Sequence, residues 1–234
     1  GCQKVSYLII YSYLQMMNNL MIKSLYITVF FILSLVYLTG CNDSRKKYWD
    51  NGNLQSELVY KNDKLNGKAT WYYQNGNKEQ EVTYINNTLV GAQIRWYPNG
   101  NFESKSYYKN GKLEGLATMY DQNGSLISEE NYKNDTLSGP YTNRYPNGKI
   151  KISGNYINGY FSGQWLYYNM NGEIIGTGNY TMGDGIQKAW HSNGKIMREI
   201  TYQKNLKHGP EKWYNTDGQL EKVLHYNQGV LLDN

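Results

Sequence analysis

The dipeptide Asn-Gly recurs along this chain at nearly constant spacing, and that spacing limits the possible folds more than any other feature. With its glycine as anchor, the units fall at Gly52, Gly76, Gly100, Gly124, Gly148, Gly172, Gly194 and Gly218, the last as Asp-Gly. Successive anchors lie 24 residues apart, except for 22 between Gly172 and Gly194. Eight positions past every anchor stands a tyrosine: Tyr60, Tyr84, Tyr108, Tyr132, Tyr156, Tyr180, Tyr202 and Tyr226. Fifteen positions past comes a second glycine, at Gly67, Gly91, Gly115, Gly139, Gly163 and Gly209. Self-similarity at this period means a repeat architecture. The units run without a break from about Tyr48 to Asn234, which predicts one extended repeat domain over 48–234.

Turn chemistry divides each unit. Ten and eleven past the anchor stand Asn62-Asp63, Asn86-Asn87, Asn110-Gly111, Asn134-Asp135 and Asn158-Gly159. These residues tolerate positive φ, as a two-residue type I′ hairpin loop requires. Tyr97-Pro98-Asn99-Gly100 and Tyr145-Pro146-Asn147-Gly148 read as four-residue turns with proline second and glycine last. What remains predicts two strands of nine residues each. Across such a hairpin Leu54, Leu58, Tyr60, Leu65, Ala69 and Trp71 share one face, with Glu57 opposite Lys68 on the other. The expected fold is therefore all-β: an elongated, single-layer antiparallel sheet of about eight stacked hairpins. The glycine of the Gly67 type is expected to leave room for the tyrosine ring, or else to permit a kink. Two residues are missing between Tyr180 and Trp190, a deletion that keeps every side chain on its face, where a single one would reverse them.

Composition agrees with a thin sheet. Tyrosine reaches 25 residues against 4 phenylalanines, so contacts come from amphipathic rings and tight turns in place of a thick aliphatic core. The net charge is +5, of which Lys4 and Lys23 supply two, and no basic run marks a nucleic-acid surface. His191, His208 and His225 fall at different repeat offsets, and no metal-ligand spacing occurs. Glu57, Glu79, Glu81, Glu103 and Glu129 read as an acidic stripe on the polar, solvated face, not as a paired-carboxylate site. No nucleophile elbow or phosphate-cradling loop is present. The chain is read as no enzyme, with no cofactor.

The N-terminal part reads differently. Residues 1–20 are read as a spurious extension ahead of a start at Met21, with Met16 or Met17 as alternative starts. From there Lys23, the apolar run Leu25–Leu38 and Leu38-Thr39-Gly40-Cys41 follow the order of a secretory signal peptide over 21–40. The last four of these residues resemble the bacterial lipobox, which implies lipid attachment and cleavage at Cys41. A transmembrane anchor over Leu20–Leu38 is the alternative. Residues 41–47 are expected to be a polar spacer, and either anchor puts the repeats in the cell envelope, outside the cytoplasm.

The pattern Asn147-Gly148, Tyr156, Asn158-Gly159, Phe161-Ser162-Gly163 resembles the MORN repeat, in the variant found in bacterial YwqK-like proteins. The resemblance implies stacked hairpins in a long twisted sheet. Bacterial members are often labelled antitoxin-like, and eukaryotic members are associated with scaffolding and membrane phospholipids; the family motif implies no catalytic residues. Choline- and glucan-binding cell-wall repeats also combine Trp-Tyr with Asn-Gly, as Trp71-Tyr72-Tyr73-Gln74-Asn75-Gly76 does, at a shorter period.

Function is sought among the aromatics. The eight-position tyrosines are expected to be structural, each packed on its neighbours. A second series, including Tyr72, Trp96, Tyr120, Tyr168, Trp190 and Tyr214, stands four residues before the anchors. It is read either as packing between repeats or as an aromatic groove. In the second reading Trp96, Tyr97, Tyr145, Trp165 and Trp190 contact a ligand. The partner would be a protein or an envelope glycan. Three roles follow: a membrane-anchored binding scaffold, an immunity protein against a secreted or periplasmic toxin, or, last, a glycan hydrolase.

Overall fold

The computed structural model describes residues 42–233, in which every regular element is a β-strand. The strands are β1 (Asp43–Tyr48), β2 (Leu54–Lys61), β3 (Lys64–Tyr72), β4 (Lys78–Ile85), β5 (Thr88–Trp96), β6 (Phe102–Lys109), β7 (Lys112–Leu113), β8 (Gly115–Tyr120) and β9 (Leu126–Lys133). They continue as β10 (Thr136–Arg144), β11 (Ile150–Ile157), β12 (Tyr160–Tyr168), β13 (Ile174–Thr181), β14 (Asp184–Trp190), β15 (Ile196–Gln203), β16 (Leu206–Tyr214), β17 (Leu220–Asn227) and β18 (Val230–Leu231). All eighteen belong to one sheet. Each pairs antiparallel with its sequence neighbours, as in β1–β2, β2–β3 and β3–β4; β7 and β8 are halves of one return strand on β6. Two-residue loops line one edge of this meander and four-residue turns the other. The loop residues Asn62 and Asp63 have φ of 51° and 57°, the left-handed pair that a type I′ loop needs. The first strand begins at Asp43, so the sheet takes in residues expected to form a spacer. Cys41 and the segment ahead of it lie outside the described residues.

Two bulges per unit correct the expected register. Tyr60 faces Leu65, but Leu58 faces Ala69, so Asn66, Gly67 and Lys68 together span what Val59 spans alone. Glu57 consequently meets Thr70, and Lys68 reaches Glu81 of the next strand at 2.9 Å. The same shift recurs in β4–β5, β9–β10, β11–β12 and β15–β16. Gly67 sits in this bulge at φ +134°, and a Cβ there would lie 2.9 Å from the Val59 side chain. The glycine therefore serves the kink and does not make room for Tyr60. A second bulge follows each four-residue turn: Lys47 faces Ser56, whereas Tyr48 faces Leu54, which leaves Gln55 as the extra residue. It moves Leu54 from the tyrosine face to the face of Tyr48. The expected acidic stripe divides too, with Glu81 and Glu129 held by Lys68 and Arg144 while Glu103 pairs with Arg95 across this bulge.

The two-residue deletion removes a bulge. In β13–β14 pairing runs unbroken from Gly176 opposite Ala189 to Thr181 opposite Asp184. Faces are preserved, and the core thickens beside it. Successive eight-position tyrosines stand two strands apart, roughly 9.6 Å, too far for ring contact. Tyr180 and Tyr202, which flank the unbulged hairpin, do touch, with ring centroids 5.7 Å apart. Elsewhere the bridge is another ring: Phe161 lies 5.4 Å from Tyr156 and 5.2 Å from Tyr180. The expectation that each tyrosine packs on the next thus holds only at this point. Tyr180 is buried; the other seven are half-buried.

Trp165 is the centre of this cluster. It is 3% exposed, with its ring 4.7 Å from Phe161 and 5.0 Å from Tyr156. The indole fits because its neighbours across the strands are glycines: a Cβ on Gly154 would lie 2.1 Å from Trp165 Cδ2. The tyrosine face ends in charge, since Glu211 is 2% exposed and takes Lys207 at 2.5 Å and Arg198 at 3.8 Å.

Trp165→Ala is expected to lower the unfolding free energy by about 3–5 kcal/mol, the range for a buried aromatic. Gly154→Ala should destabilise as well, because the indole has nowhere to move; Tyr108→Ala should cost less than either. Urea denaturation orders the three. Alkaline pH gives a second check. Burial, with Tyr141 and Glu130 nearby, pushes the Tyr156 hydroxyl up to about 12. Burial raises Tyr180 further. In the unfolded chain these phenols ionise near pH ~10. The stability they contribute is then fully present below that pH and lost as pH rises through the folded-state values. A tyrosinate absorbance titration run beside circular dichroism should show ionisation and unfolding together.

Candidate binding surface along the turn edge

The four-residue turns are stitched to one another. In each, the first residue's carbonyl accepts from the last residue's N–H, as in Gly100 N–H to Tyr97 O at 2.9 Å. The first side chain then reaches the following turn. Trp49 Nε1 donates to Tyr72 O, Tyr73 Oη to Trp96 O, Tyr97 Oη to Tyr120 O and Tyr145 Oη to Tyr168 O, at 2.8–3.0 Å. His191 Nε2 lies 2.9 Å from Tyr214 O, so that nitrogen carries the proton. The third residue adds a rung, since Asn75 Nδ2 donates to Pro98 O and Asn99 Nδ2 to Gln122 O. Just past the anchor, Asn77 and Asn101 donate to the same carbonyls, while Lys149 and Lys195 reach Asn171 O and Asp217 O.

This seam is interrupted at two junctions. The first turn position reads Trp49, Tyr73, Tyr97, Asp121, Tyr145, Asn169, His191, Asn215. Asp121 Oδ1 accepts the N–H groups of Asn123 and Ser125, and Asn169 Oδ1 those of Asn171 and Glu173. Folded back, these side chains satisfy the N–H that the third-position asparagine holds in the other turns. Among the described residues neither Asn123 nor Asn171 extends its amide to the next turn. Clefts open at both places. One, of about 380 Å³, is lined by Ser125, Leu126, Arg144, Pro146, Asn147 and Gly148. The other, of about 620 Å³, lies between Asn169 and Glu173 on one side and Trp190, His191 and Ser192 on the other, with Ile174 and Ile175.

The second feature of this edge is an apolar row on the face opposite the tyrosines. The turn-side bulge pairs Tyr48 with Leu54, Trp96 with Phe102, Tyr168 with Ile174, Trp190 with Ile196 and Tyr214 with Leu220. The Trp96 and Phe102 rings stack at 5.9 Å, and Lys78 Nζ sits 5.4 Å from the Trp96 ring. Tyr48, Phe102, Ile174 and Leu220 are each more than half exposed, at 57, 52, 52 and 54%.

The five residues singled out for binding thus separate. Trp96 and Trp190 belong to the apolar row, and Trp190 also lines the larger cleft. Tyr97 and Tyr145 spend their hydroxyls on the seam. Trp165 faces the other way and is buried, so its ring is closed to a ligand. Sequence reasoning missed Phe102, Ile174, Asn169 and Glu173; the signal was the alternation of ring donors with Asp121, Asn169 and Asn215 at one repeat position. Among the described residues no group of three His, Cys, Asp or Glu could hold a metal ion, and no helix is long and apolar enough to cross a membrane.

Comparison with protein families matches the MORN repeat variant to residues 44–62, 65–86, 89–110, 103–118, 113–134, 137–158, 183–204 and 207–228, more than half of the chain. The chain belongs to the MORN repeat variant family. Matched segments such as 65–86 run from one hairpin loop to the next, so the family unit is a return strand, a turn and an outgoing strand. The stretch 159–182 is unmatched, and it carries Trp165, Asn169, Glu173 and β13, the first strand of the unbroken β13–β14 pairing. In this MORN protein the part furthest from the pattern holds both the thickest core and one wall of the larger cleft. A search of curated proteins finds no match.

Tyr97→Phe should cost about 1 kcal/mol, the net worth of one hydrogen bond, and leave the fold intact. Thermal melts of this variant beside Phe102→Ser will separate the seam from the apolar row, since Phe102 is exposed and its loss should leave the melting temperature nearly unchanged.

Proposed function

We propose that the chain is a non-catalytic repeat scaffold, held to a bacterial membrane through lipid on Cys41 and facing the periplasm or exterior, that binds a protein or envelope component along its turn edge. The observation that carries this reading is the row of Tyr48, Phe102, Ile174 and Leu220, all more than half exposed along one side of the sheet. Side chains of this kind bring large contact area at small entropy cost. Membership of a repeat family supports a scaffold, since stacked units create extended surfaces. The anchor rests on Leu38-Thr39-Gly40-Cys41.

Affinity capture from envelope extracts tests the surface. Wild type should retain a partner that the Phe102→Ser, Ile174→Ser double variant loses at an unchanged melting temperature. Equal capture by both proteins would remove the row from the proposal. Mass spectrometry of protein from the membrane fraction should find Cys41 as a lipid-modified N-terminus; a peptide running intact from Met21 through Cys41 would disprove the lipid anchor.

A further inference from the structure

The larger cleft has lost more than its bridging side chain. At every uninterrupted junction three positions can send donors to the next turn: the first turn residue, the third, and the one just past the anchor. Between the turn at Asn169 and the turn at His191 all three fail. Asn169 folds back on Asn171 and Glu173, and Asn171 makes no rung. Where Lys149 and Lys195 donate at the flanking junctions, this junction carries Glu173. Among the described residues no side-chain donor reaches the carbonyls of Trp190 and Ser192. Their counterparts accept from Tyr145 and Asn147 in the turn before, and from His191 and Asn193 in the turn after. The cleft is therefore an acceptor-rich space bearing a carboxylate, which Asn169 Nδ2 holds at 2.7 Å. The indole of Trp190 and the exposed side chain of Ile174 form its apolar walls.

The smaller cleft shows what suits such a gap. There too the bridging donors are absent, and the position that holds Trp190 in the larger cleft holds Arg144 instead. Arg144 Nη1 donates to Gly148 O at 3.3 Å, and Nη2 to Glu129 at 2.9 Å. The chain's own guanidinium thus lines one interrupted junction, bonded to a turn carbonyl and a carboxylate. The other has kept the acceptors, gained a carboxylate and placed an aromatic ring where the arginine would be.

We infer that the cleft between the turns at Asn169 and His191 binds an arginine side chain of a protein partner. The Glu173 carboxylate is its counter-ion, the Trp190 and Ser192 carbonyls take its remaining N–H groups, and the Trp190 ring covers its flat face. A planar guanidinium with five donors, at ease on an aromatic surface, matches acceptors on several sides better than an ammonium does. This site rests on the reading of the turn edge as a binding surface and identifies the partner's chemistry at one point on it.

The test is titration of the full-length chain with the peptide acetyl-Gly-Arg-Gly-amide, followed by calorimetry and by the indole N–H signal of Trp190 in NMR. The lysine and citrulline peptides serve as comparisons; citrulline keeps the shape and loses the charge. The arginine peptide should bind saturably, lysine more weakly and citrulline at least about tenfold more weakly, with affinity falling as salt rises. Glu173→Gln should weaken the arginine peptide by about tenfold. Glu173→Lys should abolish binding while holding or raising the melting temperature, since it restores the donor found at Lys149 and Lys195. Equal binding of arginine and citrulline peptides, wild-type affinity in either Glu173 variant, or no shift at Trp190 would overturn the inference. So would a saturable response to a neutral hexose in place of the peptide. If the arginine peptide fails while partner capture still depends on Phe102 and Ile174, only this site is lost; if the peptide binds and capture does not depend on them, only the apolar row is lost.

Discussion

A sheet one layer thick has little interior, so its repeats must be tied together by something other than a core. Here the ties are hydrogen bonds between successive turns and between successive loops. Leu65 shows the constraint at the loop edge. Its N–H and C=O point away from their own hairpin, and Asn87 of the next loop satisfies both, through Oδ1 at 2.7 Å and its own N–H at 2.9 Å. At the other edge the ring hydroxyls and asparagine amides do the same for turn carbonyls. Backbone polar groups without partners would be costly in a partly buried edge, and each repeat relieves that cost for its neighbour. The period of 24 residues is what brings the matching groups into line.

The two bulges follow from the same requirement. Without the loop-side bulge the tyrosine and the return strand would stay in simple register, as they do in β13–β14, where two residues are absent. The loop contacts there change accordingly, with Asn205 reaching back past the intervening loop to Phe161 N at 2.8 Å and Gly159 O at 2.7 Å. The irregular unit also draws Tyr180 and Tyr202 together and buries Trp165 against Gly154. One departure from the period thus alters edge, core and cleft at once. The aromatic core is thickest where the repeat is least faithful, while in the regular units burial is limited to small side chains such as Ala69 and Val82.

The differences between positions along the turn edge have a similar origin. A surface built of identical units would present the same groups at each step and could not favour one position for a partner. The seam is uniform from Trp49 to Gln122, then broken at Asp121 and again at Asn169. The substituted side chain is a hydrogen-bond acceptor in each case and turns inward on its own N–H groups. The gap that results is lined by Arg144 at one junction and by Glu173 and Trp190 at the other.

How much of this was legible in the chain depends on the range of the interaction. Local rules were enough for the fold: Asn-Asp and Asn-Gly pairs demand left-handed loops, Pro-Asn-Gly demands a turn, and a period-two apolar pattern demands a strand with two unlike faces. The family resemblance rests on those same residues. The loop-side bulge was not legible, because an extra pair of residues preserves alternation, and Glu57 was given the wrong neighbour; the turn-side bulge adds one residue, Gln55, and carried Leu54 to the other face. The candidate surface was half legible. Trp96 and Trp190 stand out in any alignment of the units, but whether a ring is spent on packing, like Trp165, on a hydrogen bond, like Tyr97, or left exposed depends on what the adjacent repeat places against it. Residues 23 positions apart in the chain meet at a hydrogen-bond distance only once the strands are folded side by side, and that meeting was decided by the tertiary structure alone.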